Sequence, residues 1–295
     1  MQNKPHVSVI IPTYRDWERL KLCIAALEKQ TYPADLFEVI IVNNDSEDLC
    51  PNFSLPKNYK LIAEAKPGSY AARNAALKIA KGEVVAFTDS DCQPQRDWLR
   101  SAVDLFGTDL RLYRIGGKVS LIVGENKKNI AEIYEKAYAF RQQDFVYDKG
   151  MAATANMVTK KAVFDKIGDF NENLMSGGDA EWGMRASAQG FKIKFSNDCV
   201  VWHPARSLLS EIVQKTKREA GGHYGLLEKK SKVLLMSYII FGFLPPIKSI
   251  FRVFRDPSLS FSEKTVSVIV RYYLRLVSTW EIVKLALALK KAERV

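Results

Sequence analysis

The sequence has no Gly-x-Gly-x-x-Gly after its first strand-like run and no Gly-Lys-Ser or Gly-Lys-Thr anywhere. That excludes a glycine-rich phosphate cradle, so any bound phosphate needs another counter-charge. Cysteine is scarce and scattered: Cys23, Cys50, Cys92 and Cys199 form no Cys-x-x-Cys pair. A zinc ribbon and a disulfide framework are thereby excluded, and a reducing compartment fits. Met1 to Val7 carries no charged-then-apolar leader, so no signal peptide is expected. Long apolar runs are missing as well. Val233 to Leu244 is 12 residues long and stops at Pro245-Pro246, too short to cross a bilayer. Thr265 to Leu289 has the length, but Arg271, Arg275, Glu281 and Lys284 interrupt it. No internal repeat or low-complexity tract stands out.

What is present describes a globular chain of 295 residues, 47% hydrophobic and 26% charged, enough for one large domain or two ordinary ones. The net charge of +11 is concentrated at one end: from Ala205 onward there are 17 basic residues against 7 acidic. Such a block points to nucleic acid or to an anionic membrane surface. It is richly apolar and lacks a nucleic-acid-binding module, so a membrane surface is the expected partner and no nucleic acid is. Tyr273, Val277 and Trp280 share one helical face, giving an amphipathic helix with a basic side. The alternatives are a helical subdomain packed on the rest of the chain, or a homo-oligomer interface.

Strands alternate with helices through the first hundred residues. Val7 to Ile11 reads as a strand stopped by Pro12, and Asp16 is placed to cap a helix running to about Gln30. Phe37 to Val42 and Tyr59 to Ala63 read as strands, Ser69 to Ala80 as a helix, and Glu83 to Thr88 as a strand buried on both faces. That alternation implies a parallel-type α/β sheet, whose ligands bind at the strands' C-terminal ends. Thr13-Tyr14, Asn43-Asn44 and Asp89-Ser90-Asp91 all fall at such ends. Further on, a helix is expected from about Asn129 to Gln143, and another opens at Ser176-Gly177-Gly178-Asp179.

Asp89-Ser90-Asp91 carries the chemistry. In an extended backbone the two carboxylates point to the same side, and a hard divalent cation relieves their repulsion. Alone, the triplet also reads as an ordinary turn. Asp179 follows two glycines at a helix start, which suits either a plain N-cap or a reactive carboxylate. His203, after Val200-Val201-Trp202, is either a bland histidine or a nitrogen ligand for a metal.

Taken in order, the motifs form a set: Val9 to Tyr14, Val42 to Ser46, Gly68 to Asn74, Asp89 to Asp91, Ala155 to Met157, Gly168 to Asn171 and Gly177 to Arg185. The chain resembles the family 2 inverting glycosyltransferases with the GT-A fold, over roughly residues 7 to 205. That resemblance implies a Rossmann-like mixed sheet flanked by helices in a catalytic domain of residues 1–205. Residues 206–295 would be a helical, membrane-associating region.

The resemblance also implies roles. Pro12, Thr13 and Tyr14 line the nucleotide pocket, and Asn44 stands where the family usually has an aspartate reading the base edge. Arg73 approaches the base or diphosphate. Asp89, Ser90 and Asp91 meet the ribose and the metal, Mn²⁺ or Mg²⁺, with Asp91 the closer ligand and His203 a further one. Asp179 falls on the catalytic base, and Asn156, Glu181 and Trp182 fall on the acceptor or sugar side. Asn43 and Asn44 replace the usual acidic pair; an amide still matches uracil, so a UDP-sugar is the expected donor. Gly178 replaces the acidic residue that commonly precedes the base. The implied reaction moves a hexose from UDP to a glycan or lipid-linked acceptor, on the cytoplasmic face of a membrane. The rival readings are a metal-dependent nucleotidyltransferase, since it too uses paired acids on an α/β sheet, and a basic nucleic-acid-binding protein.

Overall fold

A computed structural model of the chain describes residues 5–45, 47–48, 54–124, 129–228 and 231–287, with Leu226 and Glu228 described by backbone only. Ser46, Cys50 and the expected helix end at Leu289 lie outside these residues. By contacts the chain divides into two compact units. One comprises residues 1–120, 140–173 and 178–204. The other comprises residues 121–139, 174–177 and everything from 205 onward.

The first unit is built on the sheet. Its strands are β1 (Val7–Thr13), β2 (Phe37–Asn43), β3 (Tyr59–Ala63), β4 (Val84–Phe87), β5 (Gln93–Pro94), β6 (Leu112–Ile122), β7 (Met157–Lys160) and β8 (Lys192–Pro204). They lie in the order β3-β2-β1-β4-β7-β6-β8-β5. The β3-β2-β1-β4 half is parallel, with Ile10 opposite Ile40 and Phe87. β7 then runs antiparallel to both β4 and β6, and β5 runs antiparallel to β8. The sheet is therefore mixed, parallel only in the half that the strand-helix alternation predicts. Every residue of β1 and β2 is buried, as expected for parallel strands covered on both faces.

Pro12 does not stop β1, which continues to Thr13. The Ile10 carbonyl accepts from Thr88 on the β4 side, and the Thr13 carbonyl accepts from Asn44 on the β2 side. Pro12 is two residues beyond Ile10 and so faces β4, whose ladder has already ended. Its missing N–H costs no hydrogen bond.

Helices α1 (Trp17–Leu27), α2 (Ser69–Ile79) and α3 (Trp98–Thr108) follow in order, α2 packing on β1 and β2 and α3 on β8. Next come α4 (Ile130–Tyr138), α5 (Gln142–Lys149), α6 (Ala162–Ile167) and α7 (Gly178–Ala188). The single helix expected from Asn129 to Gln143 is two, α4 and α5. Phe140 between them has φ +44°, a left-handed conformation that a continuous helix cannot contain.

The second unit holds α4 together with α8 (Leu209–Glu228), α9 (Lys232–Gly242), α10 (Ile247–Arg255) and α11 (Phe261–Ala286). Its own small core is Ala131, Tyr134, Ile212, Val270 and Leu274. α11 starts four residues earlier than its apolar pattern indicates, because Ser260 and Glu263 form a capping box. Among the described residues no single helix is long and apolar enough to cross a membrane. α9 and α10, bent by 51° at the Pro245-Pro246 break, reach that length and composition only as a pair.

Candidate active site

At the ends of β1 and β2, Thr13 is buried and Tyr14 is 43% exposed. Arg15 lies 5.4 Å from the centroid of the Tyr14 ring and pairs with Asp45 at 2.6 Å. The two asparagines expected near a base are both engaged with backbone. Asn43 Nδ2 donates to the Asp48 carbonyl at 2.8 Å. Asn44 Nδ2 donates to the carbonyls of Glu64 and Lys66, and its Oδ1 accepts from Gly68 N–H, each at 2.8 Å. Asn44 therefore clamps the loop that leads into α2, with both of its donors committed. Gly68 makes this possible, since φ +120° at the turn is closed to other residues.

The end of β4 does not stay extended. Cys92 N–H donates to the Asp89 carbonyl at 3.1 Å, closing a turn, so the alternation expected of Asp89 and Asp91 does not operate. Asp89 takes Arg73 Nη2 at 2.6 Å. Asp91 Oδ2 lies 3.3 Å from His203 Nε2 and 3.8 Å from Arg19 Nη1. Between the two acids, Ser90 Oγ donates to Asp16 Oδ2 at 3.3 Å, tying this turn to the start of α1. Asp16 offers α1 no side-chain cap; it holds Ser90 and Arg19 instead.

The Asp91–His203 pair fits a metal. His203 is almost fully buried, and its Nδ1 lies 2.7 Å from the Pro204 carbonyl, which can only accept. Nδ1 therefore carries the proton, and a neutral ring turns its Nε2 lone pair toward the Asp91 oxygen. Two acceptors at that distance call for a proton or a cation between them. Cys92 Sγ belongs to the same cluster, within 4.8 Å of the other ligand atoms. Burial pushes its thiol well above its usual value, and it donates toward Asp91 Oδ1 at 3.7 Å. Asp89, expected as a second carboxylate ligand, is outside this cluster because Arg73 holds it.

Asp179 stands at the start of α7. Its Oδ1 accepts from Ala180 N–H at 2.9 Å and from the Tyr70 hydroxyl at 3.2 Å, and its Oδ2 accepts from Thr154 N–H at 3.4 Å. Burial raises its carboxyl above the ordinary range, against the opposing pull of Arg73. Gly178 is required here, because a Cβ would meet the Tyr70 ring at 2.8 Å. The Arg73 guanidinium lies 5.6 Å from the centre of that ring. A polar chain thus runs from Asp179 through Tyr70 and Arg73 to Asp89, one turn before Asp91. Thr13 Oγ1, Thr88 Oγ1 and Arg73 Nε are buried here without a hydrogen-bond partner, as expected of a site shaped for a polar ligand.

Three residues expected on the acceptor or sugar side are framework. Asn156 is fully buried: it accepts from Trp98 Nε1 and donates to the Lys118 and Cys199 carbonyls, each at 2.8 Å. Trp182 is fully buried, stacked on Phe164 with centroids 4.4 Å apart, and donates to the Gly168 carbonyl. Glu181 forms a two-pronged pair with Arg185, which also donates to the Ile167 and Asp169 carbonyls. These motif residues hold α7, and with it Asp179, in place.

Sequence reasoning missed Tyr70 as a partner of Asp179, Arg19 beside Asp91, and Arg114. Arg114 is fully buried on β6 and donates to the carbonyls of Gly150, Gly183 and Phe191 and to Ser187 Oγ. Burial pushes its guanidinium down to about 10. It braces α7 from beneath; a lone arginine in an otherwise apolar strand was the available signal.

A mixed sheet whose strand ends gather a carboxylate–imidazole pair, a buried arginine and a carboxylate of raised basicity defines a GT-A nucleotide-sugar transferase. The model for glycosyl transferase family 2 matches residues 8–168. The glycosyltransferase AglE of Haloferax volcanii is 33% identical over 253 residues, covering 82% of each chain. A dolichyl N-acetyl-alpha-D-glucosaminyl phosphate glucuronosyltransferase of Methanococcus voltae, whose transferred sugar is a diacetamido-glucuronate, is 22% identical over 259 residues, covering 83% of this chain and 80% of that protein. Among solved structures, the mannosyltransferase PcManGT of Pyrobaculum calidifontis, in complex with GDP-Man and Mn²⁺, superposes with a TM-score of 0.54 at 19% identity. It covers 98% of this chain and 75% of its own. TarS of S. aureus in complex with UDP gives 0.52 at 17% identity, covering 96% and 92%. The chain belongs to glycosyl transferase family 2: it is a glycosyltransferase that uses a nucleotide-sugar donor.

Proposed function

We propose that this enzyme transfers a hexose, with inversion, from a UDP-sugar such as UDP-glucose to a hydroxyl of a lipid-linked glycan in polysaccharide synthesis. It works as a peripheral protein on the cytoplasmic face of a membrane. Pro12, Thr13, Tyr14 and Arg73 receive the nucleotide at the strand ends, with Asp89 holding Arg73 in position. Asp91 and His203 would hold a divalent cation, Mn²⁺ or Mg²⁺, which would neutralise charge on the departing diphosphate. Asp179 takes the proton of the acceptor hydroxyl as that oxygen attacks the anomeric carbon from the face opposite UDP. Tyr70 and Thr154 orient the carboxylate, and burial makes it a better base than a solvated aspartate. Complexes of the two structural neighbours with GDP-Man and with UDP support a nucleoside-diphosphate leaving group. The dolichyl phosphate named for the Methanococcus relative supports a lipid-linked acceptor.

The observation that carries the reading is the polar chain from Asp179 through Tyr70 and Arg73 to Asp89, beside the Asp91–His203 pair. It supports a base and a metal site on one sheet edge. The variant Asp179→Asn keeps the side chain's shape but removes its basicity. Turnover should fall about 10²- to 10⁴-fold while UDP affinity holds. Near-wild-type turnover would remove Asp179 from the mechanism. Release of pyrophosphate in place of UDP would establish nucleotidyl transfer instead.

A further inference from the structure

The helical unit buries a small apolar core and also leaves many large apolar side chains exposed. On α10, Ile247, Ile250, Phe251 and Phe254 follow helical spacing, and Lys248, Arg252 and Arg255 form a second series. Most of the apolar series is exposed, with Ile247 at 61% and Phe251 at 63%, and Lys248 and Arg255 are exposed beside it. Arg252 turns toward the bundle, its guanidinium 5.3 Å from the centre of the Tyr138 ring on α4. Arg271 on α11 lies 5.3 Å from the centre of the same ring and donates to the Tyr134 hydroxyl at 3.3 Å. Two guanidinium groups thus share one aromatic ring. Among the described residues, neither has a carboxylate at ion-pair distance. Glu219, the acid that acts on Arg271, pairs with Lys215 at 4.0 Å. Tyr138 Oη and Arg271 Nε are buried and have no hydrogen-bond partner.

Two converging guanidiniums with spare donors match a phosphate group, whose oxygens accept several charge-assisted bonds at once. An exposed apolar surface on the same helix as one of those guanidiniums matches a long hydrocarbon chain. Resting on the lipid-linked acceptor reading above, we propose that Arg252, Arg271 and Tyr138 bind the phosphate of an isoprenoid-type lipid phosphate. Its chain lies along the exposed faces of α9 and α10, where Met236, Ile240 and Phe251 stand out from the surface.

The test titrates farnesyl phosphate, farnesol and inorganic phosphate into the full chain in nonionic micelles, followed by tryptophan fluorescence. Farnesyl phosphate should bind at least about tenfold more tightly than either of the others. Arg252→Gln should weaken it by about tenfold or more, as expected for a lost charged hydrogen bond, with UDP affinity unchanged. Should Arg252→Gln not fold, Arg252→Lys keeps the charge but loses the planar fork, and Tyr138→Phe removes only the hydroxyl; both should bind farnesyl phosphate more weakly than wild type. Inorganic phosphate binding as tightly as farnesyl phosphate would overturn the site, and so would unaltered binding in these variants. Transfer to a lipid-linked acceptor with an unchanged KM in Arg252→Gln would overturn the site and leave the acceptor reading standing. Arg252-dependent farnesyl phosphate binding without transfer to any lipid-linked acceptor would support the site and remove that reading.

Discussion

Trp182 on α7 and Trp280 on α11 are the same side chain in two different settings. Trp182 is fully enclosed by Phe164 and Phe170 in the sheet unit, whereas Trp280 in the helical unit is 59% exposed. The arginines divide differently. In the sheet unit Arg73 and Arg114 are buried, and each is bonded to a carboxylate or to several carbonyls. In the helical unit Arg271 and Arg275 turn toward the bundle, Arg275 donating to the carbonyls of Phe241 and Gly242 at the end of α9. Ile269, Tyr273 and Trp280 of the same helix stand outside. The sheet unit is organised against water in the usual way. In the helical unit charge and exposed hydrophobicity occur together, the combination that the proposed membrane surface would accept.

The tryptophan pair gives the sharpest way to break this comparison. Trp182→Ala should cost about 3–5 kcal/mol in urea unfolding, from a large cavity and an orphaned Gly168 carbonyl. Trp280→Ala should stay within about 0.5 kcal/mol, yet lower binding to anionic vesicles in a flotation assay. Equal stability losses would mean that the helical unit is an ordinary water-facing bundle.

A smaller effect is expected at the metal site. Asp91→Ala should abolish the Mn²⁺ dependence of UDP binding, lowering affinity in the presence of Mn²⁺ by about 10- to 100-fold by calorimetry. Ser90→Ala removes only the bond to Asp16 and should be mild. Unchanged metal dependence in Asp91→Ala would place the cation elsewhere.

The smallest effect is on stability against pH. Because burial raises the Asp179 carboxyl in the folded state, the folded chain holds that proton more tightly than the unfolded chain. Its contribution to stability is fully present below about pH 3.9, the ordinary value, and is lost as pH rises through the raised value. At neutral pH the ionised carboxylate is therefore a net cost. Asp179→Asn should melt at or above the wild-type temperature at pH 7, with the difference shrinking at low pH. A lower melting temperature at neutral pH would show that the hydrogen bonds from Ala180, Thr154 and Tyr70 outweigh the burial.

How far the sequence carried is seen in particular elements. β3 and α2 were legible almost to the residue, because their apolar patterns and local backbone preferences agree with the packing they meet in the fold. The break at Phe140 was not legible: a positive φ at a phenylalanine is imposed by packing, here against His203 with ring centroids 4.4 Å apart. The motif order alone placed the chain among the glycosyltransferases, and the strand ends alone indicated where its chemistry gathers.

Which motif residues have their polar atoms committed to the framework was decided only by the fold. Asn44, Asn156, Glu181 and Trp182 belong to the same strings as Asp91 and Asp179, yet their polar atoms are spent on backbone or on each other's supports. Sequence order records that a residue type occurs at a position. Hydrogen-bond saturation depends on which carbonyls and amides approach from elements far away in the chain. Asp89 and Asp91 make the point at closest range: two residues apart, they are separated by a turn, one held by an arginine 16 residues upstream and the other facing a histidine 112 residues downstream.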